Sequence, residues 1–298
     1  MQPYDVAFVG HYTKDTIVSS ASTRVVDGGA CNYGANVAAR MGLRTAVVTR
    51  LAREDWHVIQ RLQELGVEAH ARATPHSTCL RLVYPSTDVD QRVIHVTSTA
   101  GAFTPEEVAT LDARAFLIGA SMRGEVGLDV IAELRKKPTL LVADVQSFLR
   151  VNQEGVLLAT PWPEKEQVLA SLDVLKTDAV EAELLTGEKD IHTAARRIAQ
   201  LGPKEVVLTH RDGLLVLAQG RYHEAPFQPR ELVGRSGRGD TCIASYVCKR
   251  LGAPPAEATL WAAAVTSLKM EAEGPFHRDM RDVAEWLLKH GPPSSGGK

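Results

Sequence analysis

Short apolar runs that alternate with amphipathic helical runs restrict the fold of this chain more than any other feature. "YDVAFVG" is a strand ending at Gly10, and "DGGACNYGANVAARMG" turns on Gly28-Gly29, becomes helical through Asn36–Met41 and stops at Gly42. "TAVVTR" is a second strand, and "EDWHVIQRLQELG" is a helix closed by Gly66. The rhythm resumes at residue 115. "AFLIGAS", "TLLVADV", "LDVLKT" and "KEVVLTH" are strands, with "EVGLDVIAELRKK", "DAVEAELLTG" and "IHTAARRIAQLG" as helices between them. "LLVLAQG" and "RYHEAPF" follow as later, antiparallel strands, and the C-terminal third is helical. Such alternation predicts a mostly parallel central sheet with helices on both faces, a three-layer α/β/α core.

Residues 78–97 break the rhythm. "TCLRLVYP" and "QRVIHVTS" alternate apolar and polar side chains around "STDVD", the pattern of a half-exposed antiparallel hairpin. With "IVSS" and "TRVV" it forms either a small sheet of about four strands standing off the core or an edge hairpin of the main sheet. No repeat and no long polar linker divides the 298 residues. One domain over 1–290 is therefore expected, with "GPPSSGGK" (291–298) as a frayed tail.

Several function classes lack support. A net charge of −2 provides no basic field for nucleic acid. The N-terminus lacks the basic and apolar regions of a signal peptide, and no run is long enough to span a membrane. Cys31, Cys79, Cys242 and Cys248 have no metal-binding spacing and read as reduced thiols, which implies a cytoplasmic protein. No Walker A loop, no dinucleotide-binding glycine fingerprint after the first strand, no nucleophile elbow and no HExxH motif is present.

Three stretches can carry chemistry. In "LVGRSGRGDTC", Gly237-Arg238-Gly239-Asp240 stands at the mouth of a helix, where open N–H groups and the dipole favour an anion. Asp240 there is either a first-turn capping carboxylate or a general base. Asp15, after the first strand, is a hydrogen-bond acceptor for a polyol or a solvated turn residue. Asp178 and Glu181 open another helix, where they hold Mg²⁺ through water or close a capping box.

Together and in this order, Asp15, "GGACNYGANVAARMG", "DVLKTDAVEAELLTG" and "GRSGRGDTC" resemble the PfkB (ribokinase-like) carbohydrate kinases over nearly the whole chain. The resemblance implies a ribokinase-like core, a β-sheet lid built from about 12–28 and 76–99, and ATP as co-substrate with Mg²⁺. It makes Asp240 the base and the N–H groups of Gly237, Arg238 and Gly239 the anion hole. Asp15, Gly28, Gly29 and Asn32 fall on the substrate side, and Asp178 and Glu181 on the Mg²⁺. Thr209, His210 and Gly213 would lie under the nucleotide phosphates and ribose. Adenine would lie between the loop ending near Val233 and the helix carrying Ala264 and Ser267. Exposed lid edges would also suit pairing into a homodimer.

The chain departs from the family pattern at four places. Tyr33 stands at the sixth position of the diglycine block, where the family has asparagine, and Asn32 is one place early. Asp178 replaces the usual asparagine. Gly234 stands where an aspartate helps bind a monovalent cation, which leaves that requirement open. Arg238 replaces an alanine and either reaches a phosphate or points to solvent. "LLVADVQSFLR", "SLKMEAEGPF" and "GRGDT" resemble the branch that phosphorylates myo-inositol, which adds Tyr33 and Arg150 as substrate contacts, Arg150 being otherwise a structural ion pair. The resulting expectation is an ATP-dependent kinase acting on a small sugar or cyclic polyol, best matched by myo-inositol. A nucleoside or other sugar kinase and a non-catalytic nucleotide sensor are the alternatives.

Overall fold

The computed structural model describes residues 2–20, 22–85 and 92–291. Residues 86–90, where the sequence suggested a hairpin connection, and the expected tail from 292 lie outside the described residues. The chain forms β1 (Tyr4–Val9), β2 (Thr13–Val18), β3 (Thr23–Gly28), β4 (Thr45–Ala52), β5 (Glu68–Thr74), β6 (Thr78–Val83) and β7 (Val93–Ser98). Then come β8 (Ala113–Ile118), β9 (Leu140–Asp144), β10 (Arg150–Gln153), β11 (Val156–Ala159), β12 (Val174–Asp178), β13 (Glu205–Thr209), β14 (Gly213–Ala218) and β15 (Arg221–Pro226).

Nine strands form the core sheet in the order β15-β14-β13-β12-β9-β8-β1-β4-β5. Every neighbouring pair is parallel except those made by β14, which runs against β13 and β15. Helices cover both faces, so the central strands are apolar throughout rather than alternating. In β1, Val6 and Phe8 pack with helices Ala30–Arg40 and Arg238–Arg250, while Ala7 and Val9 join the opposite layer with helices Leu128–Arg135 and Ala179–Thr186. The expected three-layer core is the observed one. Strand β5, not anticipated, is an edge strand whose "EAHARAT" carries no large aliphatic residue for a pattern to register.

The second sheet is larger than expected. Its six strands run β10-β11-β7-β6-β2-β3, so two come from residues 150–159 in addition to those from 12–28 and 76–99. β10 and β11 are only four residues each and turn through Glu154 and Gly155, both at positive φ (50° and 85°). That is a two-residue hairpin of the primed type, made by Glu-Gly rather than the more legible Asn-Gly. The register places Asp15 beside Leu80, Ile17 beside Leu82, Leu82 opposite Ile94 and Leu80 opposite Val96. These six side chains therefore share one face. At the root of this sheet, fully buried His11 lies 3.0 Å from Glu125 Oε1 and 2.8 Å from Thr78 Oγ1. This contact ties the β1–β2 connection to both sheets.

Candidate active site

The site forms at the C-terminal ends of β9, β12 and β13, where open α/β sheets gather ligands. Helix Arg238–Arg250 points its N-terminus into it. Gly237 is the N-cap with φ of 74°, and no side chain caps this helix. A Cβ on Gly237 would meet the Tyr33 ring at 2.3–2.5 Å, and one on Gly239 would meet Lys176 Nζ at 2.9 Å. Gly237 thus permits a left-handed turn against an aromatic wall, and Gly239 lets an ammonium approach the backbone. Thr241 N–H donates to the Gly237 carbonyl at 2.9 Å, and Arg238 N–H turns back to Arg235 O at 3.2 Å. Among the described residues, no backbone carbonyl accepts from Gly239 or Asp240. Nor does one accept from Gly237, so of the expected Gly237, Arg238 and Gly239 only Arg238 spends its N–H on a turn.

Asp240 does not cap. Its carboxylate lines a cleft of about 230 Å³ together with Arg92, Arg150, Lys176, Arg235 and Arg238. Asp144, Gln146, Asp178 and Thr209 complete the polar wall. Lys176 is buried, 2.9 Å from Asp144 and 3.9 Å from Glu181. Burial alone would depress Lys176, but Asp144, Glu181 and Asp178 hold its ammonium above the ordinary lysine value. Burial raises Asp240, while Lys176, Arg150, Lys269 and Arg92 pull against that rise. A carboxylate raised by burial yet surrounded by cations can accept a proton from a substrate hydroxyl.

Asp178 and Glu181 form a complete capping box. Asp178 Oδ1 accepts from Glu181 N–H at 2.8 Å, and Glu181 Oε2 accepts from Asp178 N–H at 3.0 Å. Arg150 Nη2 donates to Glu181 Oε1 at 3.3 Å, so the ion-pair use of Arg150 is realised while the residue still lines the cleft. No group of three or more His, Cys, Asp or Glu side chains among the described residues converges as a metal cage. With one Asp178 oxygen outside the box and the residue on the cleft wall, this donor set fits a hydrated Mg²⁺ arriving with phosphate oxygens, because magnesium retains much of its water.

On the substrate side, the residues separate by what their polar atoms already bind. Asp15 is 7% exposed, and its Oδ1 has no partner among the described residues. Burial lifts Asp15 to about 6, with Thr13 and Arg92 lowering it and Asp240 raising it. Gly28 makes room for Asp15, since a Cβ there would lie 2.4 Å from Oδ2. Gly29, at φ of 94°, makes room for the His11 carbonyl. The two glycines thus admit neighbouring protein groups on their Cβ side. Asn32 Nδ2 donates to Asp27 O at 3.1 Å, and Asn32 Oδ1 accepts from Asn36 at 3.3 Å. Tyr33 is buried behind Gly237. Asn32 thus braces the turn before its helix, and Tyr33 backs the loop at Gly237.

On the nucleotide side, Thr209 lines the cleft and donates to Thr177 O at 3.4 Å. His210, lowered by burial, and Gly213 close the β13–β14 turn through a 2.9 Å backbone bond. Ala264 and Ser267 are both 0% exposed, and Ser267 Oγ accepts the Gln228 N–H at 2.9 Å. Segment 228–234 is bound onto helix Pro255–Met270, with Val233 and Gly234 N–H on Met270 O at 2.9 and 3.0 Å. Ala264 and Ser267 therefore offer no surface to an adenine ring, contrary to expectation.

Lys176, Asp144, Arg92, Arg235 and Lys269 were not identified from the sequence. Lys176 had a signal: it is a charged residue inside "LDVLKT", otherwise a buried parallel strand. Arg92 directly precedes β7 of the small sheet, and only the tertiary fold brings it to the cleft with Asp240.

Comparison with known proteins identifies the family. The model of the pfkB family carbohydrate kinases matches residues 5–278. A pyrophosphate-dependent kinase of the ribokinase family, solved with a pyrophosphate analogue and myo-inositol, is 34% identical over 94% of this chain and 99% of its own, with a TM-score of 0.87. A pyrophosphate-dependent myo-inositol-1 kinase converted into a myo-inositol-3 kinase by changing one asparagine and one serine to leucine is also 34% identical, over 95% of this chain and 99% of its own, at TM-score 0.87. A cytidine kinase of Thermococcus kodakarensis is 25% identical over 82% of this chain and 87% of its own. The family match spans nearly the whole chain and includes every residue of the cleft: this protein belongs to the pfkB family of carbohydrate kinases and is a phosphotransferase of its sugar and nucleoside kinase class.

Proposed function

We propose that the protein transfers a phosphoryl group from inorganic pyrophosphate to one hydroxyl of a cyclic polyol of the myo-inositol class. The observation that carries the donor assignment is the cleft itself. Five cationic side chains line it, while Ala264 and Ser267, where adenine was expected, are sealed. A compact polyanion matches five cations with no need of an aromatic or apolar base pocket. The pyrophosphate-dependent relatives support the same donor.

In this reading Asp15 accepts a polyol hydroxyl and orients the ring, with the apolar wall of Leu80, Leu82, Ile94 and Val96 against its C–H faces. Asp240 removes the proton from the reacting hydroxyl. The oxygen attacks phosphorus, the bridging P–O bond breaks and orthophosphate leaves. Gly239 and Asp240 N–H groups and Lys176 face the transferred group, where fixed donors need no reorganisation as charge develops. Hydrated Mg²⁺ bound with the donor near Asp178 would neutralise phosphate charge.

The test is phosphoryl transfer to myo-inositol, ribose and cytidine, each with Mg-pyrophosphate and with Mg-ATP, and product identification by phosphorus NMR. The reading predicts inositol phosphate from pyrophosphate. Transfer only from ATP would overturn the donor assignment, and a cytidine product would place the chain with the nucleoside kinases.

A further inference from the structure

The loop that delivers Gly237 to the cleft is fastened from behind by a buried ammonium. Lys269, near the end of helix Pro255–Met270, is 2% exposed. Its Nζ donates to Gly234 O at 2.8 Å and to Ser236 O, and lies 5.4 Å from the centroid of the Tyr33 ring. Its hydrogen bonds among the described residues go to backbone carbonyls, and none goes to a carboxylate. A buried cation without a directly paired anion is costly, so this site is built around the carbonyls it holds.

Peptide planarity turns that contact into an orientation. In a trans peptide the carbonyl of one residue points opposite to the N–H of the next. Drawing the Gly234 and Ser236 carbonyls toward Lys269 therefore directs the N–H groups of Arg235 and Gly237 the other way. Arg235 and Gly237 both line the cleft. Gly234 permits the close seating, since a Cβ there would fall 2.0 Å from Ala272 O. Met270 O holds the same loop by its N–H groups, so adjacent residues of one helix grip both sides of the backbone.

We propose that Lys269 is a positioning residue of the phosphoryl-donor loop, an internal cation whose hold on the Gly234 and Ser236 carbonyls sets the donor-facing backbone. The proposal rests on the donor reading above. Burial lowers this ammonium to about 8, with Glu273 and Asp240 raising it, so its charge is the part of the device most open to perturbation. Tyr33 is the remaining titratable group facing it, and its hydroxyl is raised by burial beyond the working range.

The test compares wild type with Lys269→Met and Lys269→Arg, using pyrophosphate binding by calorimetry and steady-state kinetics with myo-inositol. Lys269→Met should lose about 10²-fold in kcat and bind pyrophosphate more weakly, with the polyol KM unchanged, as expected for a misplaced donor group. Added ammonium or potassium should restore part of that loss and leave wild type unaffected. Lys269→Arg should retain more activity than Lys269→Met and keep it above pH 8. Wild-type kcat in Lys269→Met would overturn the proposal. So would a loss shared equally by polyol KM and unrelieved by any monovalent cation. If Lys269→Met fails to fold, Lys269→Arg decides: parallel loss of polyol and pyrophosphate affinity would contradict positioning. A wild type that binds no pyrophosphate overturns the donor reading and this inference together, whereas a defect confined to the variants bears on Lys269 alone.

Discussion

Two helices open into the same cleft with an acidic residue in the first turn, and they use it in opposite ways. At Ala179–Thr186, Asp178 and Glu181 answer each other's backbone N–H groups in a closed capping box. At Arg238–Arg250 the N-cap is a left-handed glycine, no side chain caps, and Asp240 turns its carboxylate to the cleft. The first end ties up two of its N–H groups, those of Asp178 and Glu181, within its own box. The second leaves donors and a carboxylate open, the arrangement phosphoryl transfer needs. What separates them is whether a side chain at the N-cap can accept a hydrogen bond, and glycine cannot.

Lys176 joins the two ends, 3.9 Å from Glu181 and in contact range of Gly239. Lys176→Met should damage both, because buried Asp144 and Glu181 lose their common cation. The expected loss is about 3–5 kcal/mol of stability, read by denaturant unfolding. A milder effect would mean that the carboxylates simply take up protons. On the polyol side the comparison sharpens through pH. Asp15, raised to about 6, holds its negative charge above that value and takes up a proton as pH falls through it. Polyol kcat/KM should therefore fall about tenfold per pH unit below 6. Asp15→Asn should flatten that limb and raise KM at neutral pH. The smallest effect belongs to the capped end. Asp178→Ala should cost about 1 kcal/mol of stability. A kcat loss beyond a few-fold, relieved by raising Mg²⁺, would add an ion-binding role to the cap.

The core was legible because its strands are buried on both faces and its helices end in glycine, so composition alone carries the pattern. The six-stranded sheet was only partly legible. β10 and β11 are four residues each, and their turn uses Glu154-Gly155 at positive φ, a conformation glutamate rarely advertises. Within the site, Asp15 stood out as a carboxylate soon after the first strand, although it lies inside β2 rather than in a turn, and Asp240 as a carboxylate in the first turn of a helix. Around Gly28, Gly29 and Tyr33 the spacing shows that small or aromatic residues gather, yet not whether protein or ligand fills the space beside them. Lys269 and Arg92 depend on contacts between distant segments, which no local pattern encodes.

The central claim is that Asp240 is free to act as the base, in contrast to the capped carboxylates beside it. Asp240→Asn should be measured for pyrophosphate binding and for turnover on one preparation. The account predicts a turnover loss of at least about 10²-fold with donor affinity and folding nearly intact. Loss of binding and thermal stability together with turnover would make Asp240 a structural first-turn residue and contradict the account.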